Sequence, residues 1–369
     1  MNLSKRLEYF IKGIFASLLR SLLEQPAKNL QPPYHHILFL RFDVLGDMIL
    51  SLPVFRATRR LLPESKIDVL CSMKNHVLLK GTSLADHLYI FQKNPLKILS
   101  LILEIRKKKY DLIINLVTRP SFTFGVVARL GGPAAVRLAG DQDEFSYFYN
   151  RIVELPPKSD IHMQKRKFLL CNEIIKEDKS DTIIPWVEYG ADIKTSVEQL
   201  YLQCLTDLGL NYNQSKVIAI NLSAGLARRE WTLDKNVDLL KNLIPKYKNK
   251  IDGWIVLTNP AKPNEATELV RLVDSSRIIA IPPQSDFRII MEFLTYVTAL
   301  ITPDTSVTHA ASAKGTPVLV MTIGENVKIW DPLGVVHEIV FSDDYFSLKS
   351  LPVDKVIVGF ENLMQRLKI

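Results

Sequence analysis

Short apolar runs alternate with helical stretches along most of this chain, and that alternation restricts the fold more than any other feature. His36–Arg41 (HILFLR) reads as a buried strand, Asp47–Leu62 as a helix, Lys66–Cys71 as a strand, Leu96–Lys108 as a helix and Asp111–Val117 as a strand. A less regular stretch follows over 141–215, with one helix near Lys165–Ile175. The alternation then resumes. Lys216–Leu222, Trp254–Thr258, Arg277–Ile281, Ala299–Thr302 and Pro317–Thr322 read as strands. Helices over Leu233–Leu243, Asn264–Val273, Asp286–Tyr296 and Ser306–Ala313 separate them. Such spacing indicates βαβ units and parallel sheets. The 369 residues suit two domains. Two α/β blocks of similar size read as two Rossmann-like domains with a ligand expected between them. The expected division is an N-terminal helix and linker over 1–33, one domain over 34–210 and another over 211–369. The last helix, Val353–Lys368, has either domain open to it.

The chain carries a net charge of +8, which calls for an anionic partner: nucleic acid, a phosphate-bearing substrate or a membrane surface. Lys5, Arg6, Lys12, Arg20 and Lys28 stand against Glu8 and Glu24 in residues 1–30. Between them Leu3, Leu7, Phe10, Ile11, Ile14 and Leu18 begin a single helical stripe. Lys12 and Arg20 interrupt it as a membrane span, and no small-residue cleavage site marks a signal peptide. Two readings are open: a helix packed on the protein's own core, or an interfacial helix over residues 1–24 on an anionic leaflet. Cys71, Cys171 and Cys204 form no CxxC pair, so zinc and structural disulfides are not expected and a reducing compartment fits.

Three segments follow strands and carry the residue types of a ligand site. Arg41-Phe-Asp-Val-Leu-Gly-Asp47 follows the first strand, where open α/β sheets place ligands. It offers Arg41, Asp43, a small Gly46 for close backbone approach, and Asp47 as either a helix cap or a catalytic carboxylate. Asn221–Trp231 offers Ser223, Arg228 and Arg229 in a loop suited to phosphate oxygens. Thr302–His309 sets Asp304, Thr305 and Ser306 at a helix start, with His309 one turn inside. Helix-start amides with hydroxyls suit a diphosphate, though capping explains the same residues. No GxGxxG and no GxxxxGK[ST] occurs, which argues against a dinucleotide oxidoreductase or a P-loop enzyme.

Taken together, ILFLRFDVLGDMILSLPVFRATRRLLPESKIDVL (37–70), NLSAGLARREWTLDKNVDLLKNL (221–243) and ITPDTSVTHAASAKGTPVLVMTIGENVKIWDPLG (301–334) resemble glycosyltransferase family 9. These are the ADP-heptose:lipopolysaccharide heptosyltransferases. The resemblance implies a GT-B architecture, with two Rossmann-like domains facing a cleft and the amphipathic N-terminal helix as an addition. It implies inverting transfer of heptose or a related sugar from ADP-heptose to a lipopolysaccharide core acceptor. The nucleotide sugar is then a substrate, with no obligate cofactor and no catalytic metal. Asp47 falls on the family's catalytic aspartate, which acts as general base. Ser223, Arg229, Asp304, Thr305, Ser306 and His309 fall on the donor site, and Arg41, Asp43 and Gly46 lie beside the acceptor or its phosphates. Arg229 stands where the family has Lys, Ser306 where Gly is frequent, and IGENVKIWDP (323–332) where GPTDP is familiar. The implied location is cytoplasmic and peripheral on the inner membrane face. Alternatives are a same-fold transferase using another nucleotide sugar or a protein acceptor, and a non-catalytic paralogue that binds glycan or membrane. A nucleic-acid binder accounts for the charge but for none of the motifs.

Overall fold

The computed structural model describes residues 25–176, 184–211, 215–324 and 329–369. The expected helix over 1–24 and the centre of the 323–332 segment therefore lie outside the described residues. The chain forms two compact units, 1–180 and 181–369. That division falls ahead of the boundary expected at 210/211. The intervening helix Ala191–Asp207 packs on Phe287–Phe293, with the Tyr201 ring 5.8 Å from that of Phe293, and so belongs to the second unit.

The first unit holds β1 (His36–Arg41), β2 (Lys66–Ser72), β3 (His87–Phe91), β4 (Leu112–Asn115), β5 (Val136–Gly140) and β6 (Arg151–Val153). They form one sheet in the order β3-β2-β1-β4-β5-β6 with every pair parallel. β1 lies at the centre, with Ile37 opposite Ile67 of β2 and Leu112 of β4. Both of its faces are covered, which is why it reads as a continuous apolar run. Phe39 meets the Phe55 ring of helix Leu52–Leu61 at 5.0 Å. Leu38 and Leu40, pointing the other way, share a core with Ile102 and Ile105 of helix Pro95–Lys107 and Val127 of helix Phe122–Gly131.

The single helix expected over Asp47–Leu62 is two: Leu45–Ile49 and Leu52–Leu61. Pro53 has no backbone N–H and is accommodated only in a first turn, so the second helix starts afresh there. Ser51 at the junction donates through Oγ to the Asp47 carbonyl at 2.7 Å. Asp47 thus sits on a short helix of its own, directly after β1.

The second unit repeats the plan with β7 (Val217–Asn221), β8 (Gly253–Leu257), β9 (Ile278–Ala280), β10 (Ala299–Pro303), β11 (Val318–Thr322) and β12 (His337–Phe341). Its sheet, again parallel, runs β12-β11-β10-β7-β8-β9, the same winding read from the other edge. Of the two destinations open to the last helix, Val353–Arg366 takes this sheet. Its Phe360 is fully buried against the rings of Tyr247 at 5.2 Å and Trp254 at 5.7 Å. The three cysteines are separate and buried. No helix among the described residues is long and apolar enough to cross a membrane.

Phe360→Ala should destabilise the protein by about 3–5 kcal/mol, the cost of a large cavity in a core that cannot collapse around it. Urea unfolding measures this, and a loss under 1 kcal/mol would show that the last helix is not part of the second core.

Candidate active site

Both sheets reverse their order between the first strand and the fourth. The loops leaving those two strands diverge at the carboxyl edge and open a crevice, where α/β sheets bind ligands. In the first unit β1 ends there on Arg41, whose side chain is 2 % exposed. Its Nη1 donates to the Leu116 carbonyl beyond β4 at 2.8 Å, and its Nη2 lies 2.5 Å from Asp47 Oδ1. Its Nε reaches both the Asp47 carbonyl and Asp43 Oδ1 at 3.3 Å. Lys167, buried on helix Met163–Ile175, brings Nζ to 3.1 Å from the same Asp47 Oδ1. Two cations and two carboxylates balance in one cluster, and Asp47, 18 % exposed, reaches solvent.

The electrostatics of this quartet follow from burial. Desolvation pushes the Lys167 ammonium down to about 8, and Arg41 adds to the push. The Asp47 and Asp43 carboxylates hold it up. Desolvation also raises Asp43, against the lowering effect of Arg41. Asn75, fully buried, fixes the loop by donating to the Arg41 carbonyl at 2.8 Å while accepting from Ser72 N at 2.8 Å. Asp47 is not a cap. The N-cap of its helix is Val44, and Asp47 lies in the first turn beyond it.

In the second unit β7 ends on Asn221, 3 % exposed. Its Nδ2 donates to Thr302 Oγ1 of β10 at 2.9 Å and its Oδ1 accepts from Ser223 Oγ at 2.6 Å. The chain continues into a turn, Ala227–Arg229. Arg229 Nη1 lies 3.2 Å from Asp304 Oδ2 and donates to the Asp304 carbonyl at 3.1 Å. Arg229 Nε is buried with no hydrogen-bond partner among the described residues. Burial raises the Asp304 carboxyl, and Arg229 opposes this. Thr305 caps helix Ser306–Lys314, accepting from Val307 N at 3.2 Å, while Thr308 Oγ1 accepts from Thr305 N at 3.3 Å. Arg228, Arg229, Asp304, Thr308, Trp330 and Tyr345 are among the residues lining a pocket of about 180 Å³. Guanidinium groups, a helix amino end and aromatic walls make a site suited to an anion attached to a flat ring.

The residues expected from the sequence thus fall into two groups. Arg41, Asp43, Gly46 and Asp47 come together in the first unit, with Gly46 in the same short helix as Asp47. In the second unit Arg229 and Asp304 line the pocket. Ser223 and Thr305 lie around Asn221. Ser306 opens the helix, and His309 is buried with its ring 6.2 Å from that of Trp330. Trp231 proves to be a clasp: its Nε1 donates to the Leu351 carbonyl at 3.0 Å inside the core. Lys167 was not legible as a site residue. The signal was available, because Lys167 falls on the stripe formed by Met163, Leu170, Cys171 and Ile174, where a lysine has to find a buried partner.

The family model for glycosyltransferase family 9 (heptosyltransferase) matches residues 98–350. That match begins beyond Asp47 and includes the Asn221–Trp231 and Thr302–His309 segments. A family 9 glycosyl transferase from Veillonella parvula superposes with a TM-score of 0.76 at 16% identity, covering 91% of this chain and 99% of that one. E. coli ADP-heptose lps heptosyltransferase II gives 0.69 at 16% identity, with 90% and 100% covered. E. coli heptosyltransferase WaaC with ADP-2-deoxy-2-fluoro heptose gives 0.67 at 13% identity, with 89% and 99% covered. These likenesses establish a common fold. No curated protein matches the sequence.

Lys167 generates a pH test. Its folded value of about 8 lies below its ordinary 10.5, so between the two the unfolded chain holds a proton that the native state has released. Raising the pH through that window therefore favours the native state. The stability of the parent protein minus that of Lys167→Met should climb between pH 8 and 10.5, by up to about 3 kcal/mol in total. A flat difference in urea unfolding across that range would remove Lys167 from the quartet's titration.

Proposed function

The chain belongs to glycosyltransferase family 9, and from that premise we propose an inverting transfer of heptose or a related sugar from ADP-heptose to a lipopolysaccharide core acceptor, with Asp47 as general base. The observation that carries the base assignment is the Asp47 carboxylate itself. It stands at the switch point, is used by no cap, reaches solvent, and is gripped by two buried cations at one oxygen.

In this reading Asp47 takes the proton of an acceptor hydroxyl as that oxygen attacks the anomeric carbon. The bond from that carbon to the diphosphate breaks on the opposite face, and the diphosphate leaves with the bonding electrons. Arg41 and Lys167 set the carboxylate's position and charge balance. Arg41, enclosed by Leu116, Asp43 and Asp47, acts through Asp47 and does not touch substrate. In the second unit Arg228, Arg229 and the amino end of helix Ser306–Lys314 meet the leaving diphosphate's charge. The Arg229 Nε, buried with no hydrogen-bond partner among the described residues, supports that role. Asp304 holds the Arg229 fork in place. Trp330 and Tyr345 supply walls for the base. Residues 1–24 carry the proposed contact with an anionic, inner-face membrane surface.

Asp47→Asn keeps shape and removes the base. Transfer should fall by about 10²–10⁴-fold with donor affinity unchanged. Turnover within tenfold of the parent would end the base assignment. Arg229→Ala should weaken donor binding by about tenfold or more, read as a smaller donor-induced rise in Tm. An unaltered ADP-heptose titration would refute the Arg229 role. Stabilisation by a different nucleotide sugar but not by ADP-heptose would replace the donor.

A further inference from the structure

Helix Pro95–Lys107 crosses from β3 to β4 and is apolar on two sides. Leu101, Ile102 and Ile105 are buried in the core of the first unit, and Ile98 packs against it. Leu96, Leu99 and Leu103 are 78 %, 55 % and 51 % exposed. Their spacing of three and four puts them in one line along the outer surface. The helix is firmly begun, since Asn94 Oδ1 accepts from Leu96 N at 3.0 Å and Lys97 N at 3.2 Å. The leucine line therefore rides on a built element.

Cations bracket that line. Lys93 and Lys97 lie at one end, Arg106, Lys107, Lys108 and Lys109 at the other, all exposed. Glu104 is the only carboxylate between 93 and 109, so this helix and its ends hold a net +5 of the chain's +8. None of the six is ion-paired among the described residues. A polyanion such as nucleic acid would use the cations and leave the leucines wet. A second copy of the chain would cover the leucines but press the same cations against each other. An apolar line flanked by unneutralised Lys and Arg matches a surface with lipid chains beneath anionic headgroups. We propose that the outer face of helix Pro95–Lys107 docks on an anionic phospholipid bilayer, with Leu96, Leu99 and Leu103 entering the headgroup boundary and the terminal cations meeting lipid phosphates. This contact is separate from the one assigned to residues 1–24 and does not depend on the identity of the sugar donor.

The test is co-sedimentation of the full chain with vesicles of phosphatidylglycerol and phosphatidylcholine in equal parts, and with phosphatidylcholine alone. Every protein compared keeps residues 1–24. Two triple variants are used: Leu96→Gln/Leu99→Gln/Leu103→Gln and Lys107→Glu/Lys108→Glu/Lys109→Glu. All six positions are exposed, so neither variant disturbs the core. Each variant should lose about tenfold or more in partition to the anionic vesicles. Parental partition in both variants would overturn the proposal, as would equal binding of the parent to the neutral vesicles. A photo-crosslinking residue at position 99 identifies the occupant. A lipid adduct supports the proposal, whereas an adduct to residues 1–24 or to a second copy overturns it.

Discussion

Each unit is organised around one polar side chain at the last position of its first strand. Arg41 ends β1 and Asn221 ends β7, and both are almost wholly buried. Each stands where the strand order reverses and neighbouring loops part, and its side chain bonds groups of both the strand across the reversal and its own loop. Arg41 does this by bonding the Leu116 carbonyl beyond β4 and the Asp47 carbonyl within its own loop. Asn221 does it by bonding Thr302 of β10 and the Ser223 carbonyl. The crevice that serves as a candidate site is thus the place where the sheet needs a side chain to close it.

The choice of a charge at β1 has an energetic consequence. A guanidinium out of water is costly unless its partners are present and well placed. Asp43 and Asp47 provide them, and Lys167 then balances the second carboxylate. Replacing all four by apolar residues could leave the fold as stable. Their joint presence is therefore better explained by what the quartet holds at its edge, a partly exposed carboxylate in a fixed orientation, than by stability. Asn221, being neutral, needs no such entourage, and the charges of the second unit sit on its rim as Arg228 and Arg229.

Much of this was legible in the sequence, for a physical reason. Central strands of a parallel sheet are covered on both faces, so β1, β4, β7, β8, β10 and β11 appear as unbroken apolar runs. The strands that were not legible are mostly edge or near-edge ones. β3, β6 and β12 are only partly buried, and β5 carries the buried Arg137, which breaks its apolar run. The Asp47 loop and the Asp304 helix start stood out because strand, loop and helix succeed one another without a gap. Lys167 did not, because its contact spans 120 residues: its place on an apolar helical stripe marks it as buried but does not name its partner. The charge reading changes as well. Arg41 is neutralised by its own loop, and a net +5 of the chain's +8 lies on residues 93–109.

The strand order has a last consequence, for assembly. The neighbours β1-β2-β3 can pair through successive short crossovers, and so can β4-β5-β6. Joining the two halves requires β4 to find β1. Arg41 and Leu116 are 75 residues apart in the chain, and Asn221 and Thr302 are 81. These bonds exist only once each half-sheet has met the other. Each crevice is therefore a seam between two halves of a sheet, and a ligand held across it fastens the longest-range strand pairing of that sheet.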